Sequence, residues 1–199
     1  STGSVTVIAA GSCVVTAEKA ADANYEASSA NTTITISKAS QGNVVAESLD
    51  EVITYSESLS LQVTLQGGLG TGAVSYSSST TGVCTVNATT GEVSVLTAGT
   101  CSITATKAGD STYLPASDII SITINRATQA TFTSAKSADT TYGSQTVVTI
   151  SASGGSGTGA VTFQSLTPAV CSVNASTGVL TVVTAGSCSI RATKAQDTS

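Results

Sequence analysis

Residues 67–108 and 154–195 of this chain align over 42 positions without a gap, 87 positions apart. The first copy reads GGLGTGAVSYSSSTTGVCTVNATTGEVSVLTAGTCSITATKA and the second GGSGTGAVTFQSLTPAVCSVNASTGVLTVVTAGSCSIRATKA. Each holds two cysteines 17 positions apart, and the opening residues 1–20 match the last part of the unit, 89–108. A fixed period marks one folded module repeated along the chain. At 87–88 residues it is too long for a solenoid repeat and suits one β-sandwich domain. The 199 residues therefore hold little more than two periods.

The residues between the cysteines decide what kind of module this is. Ser and Thr make up 67 of the 199 positions, and only 19 are charged. Thr and Val favour strands, while the Gly, Asn and Ser clusters between them favour turns. No stretch carries a sustained helical period, so the fold class expected is all-β. Apolar alternation places strands at Val44-Val45, Leu59 to Leu65, Ala73 to Tyr76, Cys84 to Val86, Val93 to Leu96, Cys101 to Ala105 and Ile120 to Ile124. About seven strands per module is the number of an immunoglobulin-like sandwich. The segments TITISKASQ (33–41) and SITINRATQ (121–129) are equivalent, each joining a last strand to a first. The frame is then the C-terminal part of a module over 1–38, a complete module over 39–126, and a module over 127–199 lacking its last strand. The junctions hold no Pro-rich or Gly-rich linker, which predicts stiff coupling of successive modules.

Cysteines stand at 13, 84, 101, 171 and 188. Cys13, Cys101 and Cys188 are equivalent in the repeat, as are Cys84 and Cys171, so the expected disulfides are Cys84–Cys101 and Cys171–Cys188. The partner of Cys13 would fall about four residues before Ser1, outside this window. Buried free thiols are the competing reading. Their recurrence as pairs in a Ser/Thr-rich strand protein favours disulfides and an oxidising compartment. Metal ligation is disfavoured, since the chain has no His and no C-x₂-C spacing.

Several motifs invite chemistry and have a plainer reading. The runs GGLGTG (67–72) and GGSGTG (154–159) resemble phosphate loops, but a strand rather than a helix follows and no Lys is near in sequence, so a mobile inter-strand loop is expected. Asn31, Asn87 and Asn174 head glycosylation sequons. At Asn87 and Asn174 a Gly follows four residues later, which favours a tight turn over glycosylation. Asp22, Asp110 and Asp197 recur at one module position, ahead of Tyr25 and Tyr113 in the first two. An Asx-turn is expected there, with the Tyr plugging the end of the sandwich. The junctions 33–41 and 121–129 contain no Asp or Glu, so no calcium site and no other metal is expected. A Lys–Asn or Lys–Asp isopeptide bond is disfavoured because disulfides already supply the staple.

The run VCSVNASTGVLTVVTAGSCSIRAT (170–193) resembles the bacterial immunoglobulin-like domains of invasin and intimin type. The segments ADANYEAS (21–28) and GDSTYLPAS (109–117) resemble repeats in giant bacterial surface proteins. The resemblance implies a tandem immunoglobulin-like fold at the bacterial cell surface. The cysteine pair departs from the family pattern, which has small apolar residues at those positions.

Composition narrows function mainly by exclusion. Without His no Ser-His-Asp or Cys-His arrangement can exist, and the carboxylates fall singly apart from Asp50-Glu51, expected in an inter-strand loop. No catalytic residue and no cofactor is expected. Seven basic residues, scattered singly in a chain of net charge −5, leave no footprint for nucleic acid. No apolar run reaches 18 residues, so no membrane insertion is expected within this segment, and neither a signal peptide nor an anchor is read in it. The expectation is a non-enzymatic stalk or fibre segment of an extracellular, repetitive bacterial surface protein. Its partners are neighbouring modules of its own chain, with lateral assembly into fibres as a further reading. The alternative is an adhesive or carbohydrate-binding immunoglobulin-like module, against which stand seven aromatics and no Trp.

Overall fold

The computed structural model describes residues 2–55 and 59–197. These form sixteen strands and, among the described residues, no helix. The chain divides into two compact units, one ending at Ile124 and the other starting at Asn125, with the few residues around Tyr55 grouped with the second.

The first unit opens with a hairpin, β1 (Gly11–Lys19) and β2 (Ser28–Ile36), paired antiparallel from Gly11↔Ile36 to Lys19↔Ser28. Its side chains are exposed almost throughout. Eight strands follow: β3 (Val44–Ser48), β4 (Val52–Thr54), β5 (Ser60–Gly67), β6 (Val74–Ser78), β7 (Cys84–Val86), β8 (Glu92–Val95), β9 (Gly99–Lys107) and β10 (Ala116–Asn125). They make two four-stranded sheets, ordered β3-β5-β8-β7 and β4-β10-β9-β6. Lettered in chain order with β3 and β4 as two halves of the first strand, these are the ABED and CFG sheets of an immunoglobulin-like sandwich, the CFG sheet extended by the second half of strand A.

The alternation seen in the sequence builds the core between them, because successive side chains of a strand point to opposite faces. Ile120, Ile122 and Ile124 of β10 and Cys101, Ile103 and Ala105 of β9 come from one sheet; Val63, Val93 and Val95 come from the other. All are buried, and each large aliphatic side chain so placed contributes about 1.5–3 kcal/mol. Seven of the eight strands fall where alternation placed them. The eighth, β4, is three residues long, too short to show a period. It follows Asp50-Glu51 directly, and the Glu51 carbonyl accepts the Thr123 N–H at 2.7 Å, so that loop leads straight into the sheet.

The second unit holds β11 (Phe132–Lys136), β12 (Ile150–Gly154), β13 (Val161–Ser165), β14 (Cys171–Val173), β15 (Leu180–Val182) and β16 (Ile190–Lys194). They pair as β11-β12, β13-β16 and β14-β15, with a bridge between Thr149 and Val179. These are the pairings β3-β5, β6-β9 and β7-β8 of the first unit over again. Among the described residues no strand takes the place of β10. Cys188 is exposed and Ile190 and Ala192 half-exposed, and their equivalents Cys101, Ile103 and Ala105 are fully buried.

Candidate functional site

A polar cluster of the first unit gathers around the glycine run 67–72, between β5 and β6. Gly67 and Gly68 both take left-handed backbone, with φ of 82° and 75°, which other residues adopt at a cost. The turn they make aims four successive N–H groups of the run at acceptors on three residues. Gly68 donates to the Asn43 carbonyl at 3.1 Å and Leu69 to the Gln41 carbonyl at 3.0 Å. Gly70 donates to Gln41 Oε1 at 3.1 Å, and Thr71 to Asp110 Oδ2 at 2.7 Å. Lys107 Nζ donates to the Gly68 carbonyl at 3.4 Å. The run is thus a tethered loop rather than the mobile one its composition predicts, because partners distant in sequence take up its amides.

Gln41 is the hub. Its side chain is 2% exposed, and its Nε2 donates to the Ala108 carbonyl at 2.7 Å while Oε1 receives Gly70. A buried amide is tolerated when both ends are paired, as here. Asp110 supplies the other half: Oδ1 accepts the N–H groups of Thr112 and Tyr113, each at 2.8 Å, forming the expected Asx-turn. Its Oδ2 reaches across to Thr71. Backbone N–H donation from Thr71, then from Thr112 and Tyr113, favours the ionised carboxylate and draws its pKa from 3.8 down to about 2. The second unit repeats the pattern, with Ser156 N–H donating to Gln129 Oε1 and Thr158 N–H to Asp197 Oδ2, each at 2.7 Å. Lys194 Nζ donates to the Gly159 carbonyl at 3.3 Å. In the hairpin, Asp22 Oδ1 accepts Asn24 and Tyr25 N–H at 2.8 and 3.0 Å. Tyr25 itself is 73% exposed, while Tyr113 is half-buried and bridges to Ala39.

The covalent staples lie deeper. Cys84 on β7 is joined to Cys101 on β9, with Cα atoms 5.6 Å apart, and Cys171 to Cys188 at 5.7 Å. β7 and β9 belong to opposite sheets, so the first bond clamps the sandwich across its core. Cys13 is a free thiol on β1, half-buried opposite Ile34.

The Asn residues at 87 and 174 make turns through their side chains rather than through positive φ, which among the described residues only glycines adopt. Asn87 Oδ1 accepts Thr89 and Thr90 N–H at 3.0 Å, and Gly91 (φ 76°) closes the turn onto the Asn87 carbonyl at 2.9 Å. Asn174 does the same with Ser176, Thr177 and Gly178. Asn31 lies exposed in the middle of β2, opposite Thr16. Among the described residues no three His, Cys, Asp or Glu gather as a metal site would need, and no helix is long and apolar enough to cross a membrane.

No family model matches the chain, and no curated protein matches it. Among solved structures it is similar to protocadherin gamma B2 extracellular cadherin domains 3–6, at 15% identity and a TM-score of 0.39, over 85% of this chain and 51% of that one. It is similar also to mouse protocadherin-24 EC1-3, at 14% identity and TM-score 0.32, over 89% of this chain and 67% of that one. A third is the surface layer protein SbsC, domains 1–6, at 15% and 0.29, over 94% of this chain and 34% of that one. The chain thus spans about half the length of the first and a third of the last. Likenesses of this size carry no argument about function; the immunoglobulin-like fold rests on the strand order above.

Proposed function

We propose that this chain is a spacer: a non-enzymatic stalk or fibre segment of an extracellular, repetitive surface protein, bacterial by its resemblance to invasin- and intimin-type repeats. One observation supports the reading above the others. The chemistry-bearing side chains of each module are turned on the module itself, in the same way twice. The cysteine pair is tied up in a disulfide, Asp110 and Gln41 in tethering the glycine loop, and Asn87 in a turn, with Cys171–Cys188, Asp197, Gln129 and Asn174 as counterparts. A module built so offers stiffness and length, not a reactive group, and the disulfides suit an oxidising exterior.

The test is to pull the chain in a single-molecule force experiment, oxidised and then reduced. Each module should resist as a unit and release extra length only after reduction. A length unchanged by reductant would defeat the mechanical reading, and saturable hits on a glycan array would replace it with the carbohydrate-binding alternative.

A further inference from the structure

One threonine in each module touches both of the segments that the disulfide joins. Thr80 lies in the crossing from β6 to β7, which passes from one sheet to the other. Its carbonyl accepts the N–H groups of Val83 and Cys84 at 2.8 and 3.0 Å, so it sets the turn that delivers the first cysteine. Its hydroxyl oxygen accepts the N–H of Ser102, the residue after the second cysteine, at 2.9 Å. The Ser102 carbonyl in turn accepts the Ser79 N–H at 3.1 Å, so both backbone groups of Ser102 are held by the crossing. Thr80 Oγ1 also stands 3.6 Å from Cys84 Sγ. A disulfide sulfur carries no hydrogen, so the hydroxyl is the donor in that contact. Ser78 steadies the threonine by accepting its N–H at 3.1 Å.

The second unit repeats the arrangement. The Thr167 carbonyl accepts Val170 and Cys171 N–H at 2.9 and 3.1 Å, and the Ser189 carbonyl accepts Leu166 N–H at 2.8 Å. Thr167 Oγ1 accepts the Ser189 N–H at 2.9 Å and lies 3.6 Å from Cys171 Sγ. Ser165 Oγ accepts the Thr167 N–H at 3.2 Å. The shared pattern is Ser-x-Thr-x₃-Cys, over 78–84 and 165–171, and the residues between differ: Ser79, Thr81 and Gly82 against Leu166, Pro168 and Ala169.

We propose that Thr80 and Thr167 are positioning residues for disulfide formation. Each holds the segment bearing the second cysteine against the turn bearing the first, so that the two thiols meet before they are oxidised. The oxidant is a small-molecule disulfide. The two cysteines give up two protons and two electrons as their S–S bond forms, and the oxidant's S–S bond breaks to leave two free thiols. Holding the reacting sulfurs together turns the closing exchange into a favoured intramolecular step.

The test starts from the 199-residue chain, fully reduced in denaturant and returned to native buffer with glutathione disulfide. Timed alkylation and peptide mass mapping then follow each pair separately. Thr80→Val removes the hydroxyl and should slow formation of Cys84–Cys101 about fivefold, the worth of one hydrogen bond, while Cys171–Cys188 forms at its usual rate. Thr167→Val should do the reverse, and Thr80→Ser, which keeps the hydroxyl, should restore the rate. Gln41→Leu, which weakens the same sandwich through the glycine run, should leave the pairing rate unchanged. The proposal is overturned if Thr80→Val pairs as fast as wild type or slows both disulfides alike. It is overturned equally if Thr80→Ser is as slow as Thr80→Val, or if Gln41→Leu slows pairing as much, since stability alone would then set the rate.

Discussion

Asp110 joins two loops through one carboxylate, and its effect can be isolated by pH. Because its folded pKa lies below the ordinary value, its contribution to stability is present in full above about pH 4. That contribution drains away as pH falls toward 2. Asp110→Asn should therefore lower the melting temperature of the first unit at neutral pH, and the gap from wild type should close between pH 4 and 2. A gap constant over that range would mean that the carboxylate charge is not what holds Thr71. Gln41 is the harsher case. Gln41→Leu leaves the Gly70 N–H and the Ala108 carbonyl without their partner, which costs about 1–3 kcal/mol. Urea unfolding should report that loss, and a smaller one for Gln129→Leu, because Gln129 is exposed. Neither glutamine stands out in the sequence. Each ends a junction segment, and the groups it binds lie 29 and 67 residues from Gln41. The one available signal was its recurrence at positions 41 and 129.

At the scale of elements, β10 decides how alike the two units are. The pairs β3-β5, β6-β9 and β7-β8 recur in both, so these hairpin-like and cross-strand ladders form from their own alternation. β9, however, is nine residues long beside β10, while β16 is five. Cys84 and Cys101 are both fully buried, so a thiolate reaches their bond only when the first sandwich opens. Under native conditions a mild dithiol should leave Cys84–Cys101 intact until denaturant is added, read by alkylation and peptide mass mapping. Rapid reduction without denaturant would show that the first sandwich opens readily. Losing the buried bond should cost the first unit about 3 kcal/mol, the chain-entropy value for a loop near 15 residues.

At the scale of the whole molecule, the repeat makes length the property that scales with copy number. Each disulfide keeps the 17-residue separation between its cysteines out of the force path, about 60 Å of extended chain. Reduction should lengthen the unfolded contour of each stapled module by that amount, a step large enough to resolve in single molecules. The sequence by itself determined the all-β class, the strand positions and the pairing of the cysteines. These depend on alternation and spacing within a few tens of residues, and the repeat displays them twice. Tertiary structure alone decided two things. The glycine run is tethered rather than loose, and β4 crosses to the other sheet. In each case the deciding contacts join residues far apart in the chain, where a donor or a three-residue strand leaves no periodic trace.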